Sequence, residues 1–176
     1  FDPSDRGYQP RGKQVEHPNG IWYTPVTGIW QTVWLEPVAK QHIAGLRTTP
    51  DIDRGTVTVA VERACKAQPG TRSEVKVLDG GKVVATGSSL GDLPVEVAMP
   101  EGFELWSPDS PKLYDMVVTL YDANGKVADS VKSYTAMRKI SKGRDKNGIV
   151  RMRLNNKDLF QFGPLDQGWW PDGDRK

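Results

Sequence analysis

The strongest constraint on the fold is an alternation of apolar and polar residues, with a period of two, along the middle of the chain. Val57, Val59 and Val61 occupy every second position of one segment, and Val75 and Val77 repeat the pattern in the next. Successive side chains of a β-strand point to opposite faces of a sheet, so these segments predict strands with one buried face. We find no amphipathic helical pattern in the sequence, and we therefore expect an all-β fold.

Turn residues separate these segments at regular intervals. Residues 79–81 are Asp-Gly-Gly and residues 122–125 are Asp-Ala-Asn-Gly, and both are hairpin turn signals. About seven short strands separated in this way are typical of an immunoglobulin-like β-sandwich. We expect that sandwich to form the centre of the chain.

The two ends of the chain differ from this central region. Residues 1–28 are rich in Gly, Pro and polar residues and predict a long loop, and residues 29–38 predict one further strand. In that strand aliphatic residues share one face and tryptophans the other, so we expect both faces to be covered. Near the C-terminus, residues 140–146 are charged and predict a turn at a domain boundary. Residues 150–154 and 159–162 predict a small hairpin outside the sandwich.

Charge and composition exclude several classes of function. The net charge is only +2, and the Lys and Arg residues are scattered among Asp and Glu, so no basic stripe indicates nucleic-acid binding. No apolar run approaches the roughly 20 residues needed to cross a bilayer, so we expect no membrane insertion. The single cysteine, Cys65, and the two histidines, His17 and His42, form no metal-ligand motif. We predict neither a metal site nor a cofactor.

Four segments together resemble glycoside hydrolase family 2, which contains β-galactosidases, β-mannosidases and β-glucuronidases. Residues 28–36 (Gly-Ile-Trp-Gln-Thr-Val-Trp-Leu-Glu) are similar to the last strand of that family's jelly-roll sugar-binding domain. Residues 105–114 (Leu-Trp-Ser-Pro-Asp-Ser-Pro-Lys-Leu-Tyr) and 117–121 resemble its immunoglobulin-like domain. Residues 153–162 resemble the crossing into its TIM barrel, with Asn156 in place of the usual glycine. The resemblance implies that the chain is the middle of a longer polypeptide.

The resemblance also implies a domain division. Residues 1–40 would be the C-terminal tail of the jelly-roll domain, 41–142 the immunoglobulin-like sandwich, and 143–176 a hairpin and the start of the catalytic barrel. The implied function is that of a non-catalytic spacer, which orients the sugar-binding and catalytic domains of an enzyme that hydrolyses β-glycosidic bonds with retention. Its partners would be these two neighbouring domains, with the carbohydrate substrate bound by the intact enzyme. The family's export habits imply a periplasmic or extracellular location in a bacterium.

We predict no catalytic residue in this chain. A retaining glycosidase needs two carboxylates about 5–5.5 Å apart, and the resemblance places both glutamates on barrel strands beyond residue 176. In the intact enzyme, residues that follow the first barrel strand would lie near the sugar, and these are Asp166, Gln167 and Trp169. A second set is expected to be structural or to contact other domains, and it comprises Trp30, Trp34, Trp106, Pro108, Pro111 and Tyr114.

Two alternative functions remain open at this point. Trp22, Tyr23, Trp30 and Trp34 could form an aromatic platform, which would make the chain an autonomous carbohydrate-binding module. Sandwiches of this kind also recur in cell-surface adhesion proteins without a shared function.

Overall fold

The computed structural model describes residues 13–24, 29 and 31–165. Within this part of the chain there are ten β-strands and no helix, which confirms the expected all-β fold. The strands are β1 (Ile43–Asp51), β2 (Thr56–Arg63), β3 (Arg72–Asp79), β4 (Lys82–Leu90), β5 (Val95–Ala98), β6 (Tyr114–Tyr121), β7 (Val127–Thr135), β8 (Ile140–Arg144), β9 (Val150–Leu154) and β10 (Lys157–Asp158).

The chain divides into two compact units. Residues 37–161 form one unit and contain all ten described strands, whereas residues 1–36 and 162–176 form the other. In the larger unit the strands make three antiparallel sheets, in the orders β1-β2-β5, β4-β3-β6-β7 and β10-β9-β8. The first two sheets contain seven strands and form the predicted sandwich.

The sandwich core is built by the alternating residues that predicted the strands. Val57 and Val59 of β2 face inward from the first sheet, and Val75 and Val77 of β3 face inward from the second, and all four are fully buried. Fully burying a side chain of this size stabilises the folded state by about 1.5–3 kcal/mol. The other fully buried apolar side chains of the described residues are Val95, Val97, Met116, Val118, Leu120 and Met137.

One glycine permits the two sheets to approach at their edge. A Cβ atom at Gly87 of β4 would lie 2.5 Å from the carbonyl oxygen of Glu96 in β5, which belongs to the other sheet. Because that oxygen is part of the backbone, it cannot rotate away as a side chain would. Only glycine fits at this position without displacing a strand.

The N-terminal strand that the alternation predicted is absent from the described residues of 29–38. Val33, Trp34 and Leu35 are 73%, 72% and 100% exposed, and neither face of this segment is covered. Alternation gives a strand only where a neighbouring strand supplies backbone hydrogen bonds, and no described strand pairs with this segment.

The C-terminal prediction was partly wrong. The charged stretch 140–146 contains a strand, β8, which pairs with β9 along its whole length. The return strand is two-residue β10 and lies earlier than the predicted 159–162. The predicted hairpin is therefore a three-stranded sheet, in which Asn155 and Asn156 make the β9–β10 turn with φ values of 51° and 67°.

Candidate functional site

A tyrosine at the start of β6 anchors the crossing between the two sheets. Tyr114 is 3% exposed, and its hydroxyl oxygen accepts a hydrogen bond from the backbone N–H of Glu104 at 2.8 Å. A tyrosine in this place that bonds back to the upstream backbone is the tyrosine corner of immunoglobulin-like sandwiches. It fixes the path of the segment between β5 and β6.

Lys112 ties the same segment to the β3–β4 hairpin. Its ammonium group lies 2.7 Å from the carboxylate of Asp79 and 5.3 Å from the ring centre of Tyr114. The hydrogen bond to Asp79 raises the pKa of Lys112, with the nearby Glu104 carboxylate adding to the effect. The cation is thus held in place over the tyrosine corner.

Trp106 lies half-buried between the sandwich and the third sheet. Its backbone N–H donates to the carbonyl of Met137 at 2.9 Å, and the guanidinium of Arg138 lies 4.8 Å from its ring centre. Pro108 and Pro111 are exposed and restrict the backbone of the loop that follows it. The loop therefore presents a stiff outer surface while its tryptophan stays fixed.

An open groove of about 440 Å³ runs along one edge of the sandwich beside Trp106. Pro50 of β1 and Tyr134 of β7 form its sides, and Leu113 and Arg138 complete it. Leu113 and Tyr134 are 50% and 64% exposed. The groove lining combines exposed apolar side chains with polar ones, which include the buried Thr135.

A cluster of hydrogen bonds, which we call the clasp, fastens the third sheet to the sandwich. At its centre, the Asn155 side chain accepts from the N–H of Lys139 at 3.0 Å and donates to the carbonyl of Trp106 at 2.9 Å. The backbone N–H of Asn155 donates to the Lys139 carbonyl at 2.8 Å. One side chain thus satisfies backbone groups from two separate connections of the chain.

The second half of the clasp is centred on Asp53 in the β1–β2 turn. One carboxylate oxygen accepts from the amide of Asn156 at 2.7 Å, and the other pairs with the ammonium of Lys139. The hydrogen bond from Lys139 lowers the pKa of Asp53, and the one from Asn156 lowers it further. The clasp therefore consists of Asp53, Trp106, Lys139, Asn155 and Asn156.

Two other carboxyls with perturbed titration are also held in the ionised form. Burial tends to raise the pKa of Glu74, but hydrogen bonds from Arg72, Lys76 and Tyr121 outweigh it and the pKa is lowered. The hydrogen bond from Arg151 lowers the pKa of Asp145. A glycosidase general acid requires the opposite shift, because it must carry a proton near neutral pH.

Several residues singled out from the sequence lie elsewhere or outside the described residues. Trp30, Asp166, Gln167 and Trp169 fall outside the residues that the structure describes, so their predicted roles stay predictions. Trp34 is 72% exposed rather than covered.

Two further aromatic residues of the proposed platform are described. Tyr23 makes a parallel bridge with Gln14, and Trp22 is 46% exposed beside a turn at Asn19. The structure thus leaves Trp22 accessible while Tyr23 is held in backbone pairing.

Sequence reasoning missed the clasp, although one signal pointed to it. The sequence assigned Asn156 only as a replacement for the family's usual glycine, and it predicted no role for Asp53 or Lys139. Asp53 and Asn156 are 103 positions apart in the chain, so only the folded structure brings them together. The usable signal was the choice of two asparagines, since their amides can bond to distant groups while they tolerate positive φ.

The described residues contain neither a metal-binding cluster nor a membrane-spanning helix. No group of three or more His, Cys, Asp or Glu side chains in that part of the chain is placed to hold a metal ion. No helix among the same residues is long and apolar enough to cross a membrane.

The chain is similar to several curated proteins and to solved structures. A β-galactosidase of Alteromonas mediterranea is 27% identical over 158 residues, which is 81% of this chain and 14% of that protein. A putative β-glucuronidase of Formosa agariphila is 27% identical over 118 residues, covering 63% of this chain and 14% of that protein. This chain therefore spans about a seventh of the length of either relative.

The solved structure of Ruminococcus gnavus β-glucuronidase matches 71% of this chain and 20% of its own, with a TM-score of 0.54 and 18% identity. At that identity the match concerns the fold alone. The sequence profile described as Glycosyl hydrolases family 2 matches residues 41–138, a span from just before β1 to just after the buried Met137. Because this match covers more than half of the 176 residues, the chain belongs to glycosyl hydrolases family 2.

Proposed function

We propose that this chain is a non-catalytic, immunoglobulin-like part of a longer family 2 glycosidase, in which it spaces and orients the sugar-binding and catalytic domains. Such a role requires a rigid body whose outer surfaces keep a fixed geometry. The clasp is the observation that carries the proposal, because it bonds the third sheet to two different loops of the sandwich.

The geometry of the clasp explains how orientation is held. Asn155 bonds to the connections before β6 and after β7, and Asn156 bonds to the β1–β2 turn. Rotation of the third sheet would break bonds at two separate points of the sandwich, the Trp106 loop and the β1–β2 turn. A domain that begins at the third sheet would therefore keep a fixed angle to the sandwich.

The state of the carboxyls supports a non-catalytic role. The pKa values of Asp53, Glu74 and Asp145 are all lowered by cations or amide donors. A retaining glycosidase needs one carboxyl with a raised pKa beside an ionised one, at about 5–5.5 Å. The perturbed carboxyls of the described residues instead serve ion pairs that hold strands and turns together.

The names of the relatives set the proposed activity of the longer protein. They are a β-galactosidase and a putative β-glucuronidase, so we propose hydrolysis of β-glycosidic bonds with retention of configuration. In that protein Asp166, Gln167 and Trp169 would contact the sugar. We propose a periplasmic or extracellular location, which fractionation of cells producing the full-length protein would test.

Hydrolysis assays test the proposal directly. The isolated chain should release no nitrophenol from nitrophenyl β-galactoside or β-glucuronide, whereas the longer polypeptide should hydrolyse one of them. Turnover by the isolated chain, abolished by changing any of its own carboxylates, would refute the non-catalytic role.

Exposed tryptophans favour a second function, that of an autonomous carbohydrate-binding module. Trp22 and Trp34 are 46% and 72% exposed, and an indole face can stack on a pyranose ring. Titration calorimetry with galactosides, mannosides and plant polysaccharides decides the matter. Binding that is lost in Trp22→Ala would favour the module, and absence of heat would favour the spacer.

A further inference from the structure

The third sheet has one apolar face that nothing in the larger unit covers. Ile140, Val150 and Met152 are 69%, 55% and 49% exposed, and the strand register places all three on the same side. Beyond β10, Leu159 and Phe160 are 40% and 85% exposed and line an open groove of about 410 Å³ beside Val150 and Met152. Contiguous apolar exposure of this kind marks an interaction surface.

Positive charge is concentrated in this part of the chain. Between residues 138 and 158 there are eight Lys or Arg and only two Asp, although the whole chain has a net charge of only +2. Lys142 lies opposite Met152 and Arg144 opposite Val150, so both cations share the apolar side. Neither forms an ion pair with any described residue.

On the opposite side of the same sheet, both arginines of β9 have a carboxylate partner. Arg151 pairs with Asp145 at 2.9 Å, and Arg153 pairs with Asp158 at 2.6 Å. The two arginines point away from the apolar side, because their positions in β9 alternate with Val150 and Met152. One side of the sheet thus balances its own charges. The other combines exposed apolar groups with Lys142 and Arg144, neither of which has a carboxylate partner among the described residues, although Arg144 donates to the Gly148 carbonyl at 2.6 Å.

We propose that this apolar side is a docking surface for a protein surface with an apolar centre and carboxylates at its margin, carried by the longer polypeptide. The inference rests on the proposed function, and it identifies the surface that would hold a neighbouring domain at a fixed angle to the sandwich. We identify the partner by its chemical complementarity to this side of the sheet. Its apolar groups would cover Val150 and Met152, while its carboxylates would pair with Lys142 and Arg144. An uncharged partner would bury these two cations without compensation.

Cysteine labelling tests the proposal in the longer polypeptide and in the isolated chain. In a Cys65→Ser background, Met152→Cys reports on the apolar side and Ser141→Cys on the opposite side of the same sheet. We expect maleimide to label Met152→Cys at least about tenfold more slowly in the longer polypeptide, as for a site exposed only by local opening. The ratio between the two contexts should stay near one for Ser141→Cys.

Charge reversal tests the stated chemistry of the partner. Lys142→Glu combined with Arg144→Glu should restore rapid labelling of Met152→Cys in the longer polypeptide. The matched control is Lys146→Glu, which changes an exposed residue of the β8–β9 turn and should leave the protection unchanged. Equal loss of protection in both variants would contradict a specific pairing at this face.

The other occupants give different results, and each would overturn the proposal. Protection that appears in the isolated chain as its concentration rises, with dimers in the ultracentrifuge, would identify a second copy. Protection that appears only when polygalacturonate is added would identify an anionic polysaccharide. If labelling is equally fast in both contexts while only the longer polypeptide hydrolyses glycosides, the docking surface is wrong and the proposed function stands. Hydrolysis by the isolated chain would refute the proposed function whatever the labelling shows.

Discussion

The sandwich and the third sheet are both antiparallel β-structure, but different forces hold them. The sandwich contains a closed apolar core, in which Val57, Val75 and Val118 have no exposed surface. In the third sheet Val150 and Met152 of β9 are about half exposed, and polar groups of the clasp hold the sheet in place. The sandwich therefore has its own source of stability, whereas the third sheet takes its position from the sandwich.

The largest expected effect comes from a matched pair of methionines. Met116→Ala leaves a cavity among fully buried side chains and should lower the free energy of unfolding by about 2–5 kcal/mol. Met152→Ala, at a position 49% exposed, should change it by no more than about 0.5 kcal/mol. Urea denaturation of both variants measures the difference, and equal effects would contradict the contrast between the two regions.

A pair of glycines should give the next largest effect. In Gly87→Ala the new Cβ meets the Glu96 carbonyl of the other sheet, and overpacking of this kind costs about 1–3 kcal/mol. In Gly143→Ala the new Cβ meets the guanidinium of Arg153, the movable end of a flexible side chain. Thermal unfolding should show a clearly lower midpoint for Gly87→Ala than for Gly143→Ala.

Substitutions in the clasp should destabilise the third sheet without unfolding the sandwich. Asn155→Ala removes two hydrogen bonds, each worth about 1 kcal/mol, and places an alanine at positive φ. Hydrogen exchange should accelerate in β8–β10 while the β3 and β6 amides keep their protection. Asn156→Gly, which keeps the turn geometry and loses only the bond to Asp53, is the milder control.

The core strands could be predicted from the sequence because the pattern that specifies each strand lies within a few consecutive residues. The valines of β2 and β3 alternate over short segments, and glycine turns separate those segments. Strand β8 was missed because Lys142 and Arg144 occupy its apolar side, so the alternation shows no hydrophobic pattern. The strand predicted at 29–38 is absent from the described residues of that range, because alternation does not specify a pairing partner.

The clasp could not be predicted for a related reason. Its members come from four separate segments of the chain. Only Trp106 was predicted to be structural, and it joins the clasp through its backbone carbonyl. Tyr114 is intermediate between the core strands and the clasp. Its position before a strand could be predicted from the sequence, but only the folded structure shows that the backbone N–H of Glu104 is its hydrogen-bond partner.

The smallest expected effect is a pH dependence of the clasp. The pKa of Asp53 is lowered from its ordinary value of 3.8. The stabilisation that its ionised carboxylate gives to the clasp is therefore present above pH 3.8 and is lost as the pH falls through the folded-state pKa. Exchange in β8–β10 should therefore accelerate below about pH 3.8, relative to the sandwich. Asp53→Asn should flatten this dependence, and an unchanged profile in that variant would assign the acid effect to other groups.

The central claim is that the sandwich and the third sheet form one rigid body. Residual dipolar couplings of backbone amides in the isolated chain test this most directly, because they report the orientation of each strand in a common frame. We predict that a single alignment tensor fits the amides of β1–β7 and β8–β10 in the native sequence, and that Asn155→Ala requires two. Two distinct tensors in the native sequence would contradict the account.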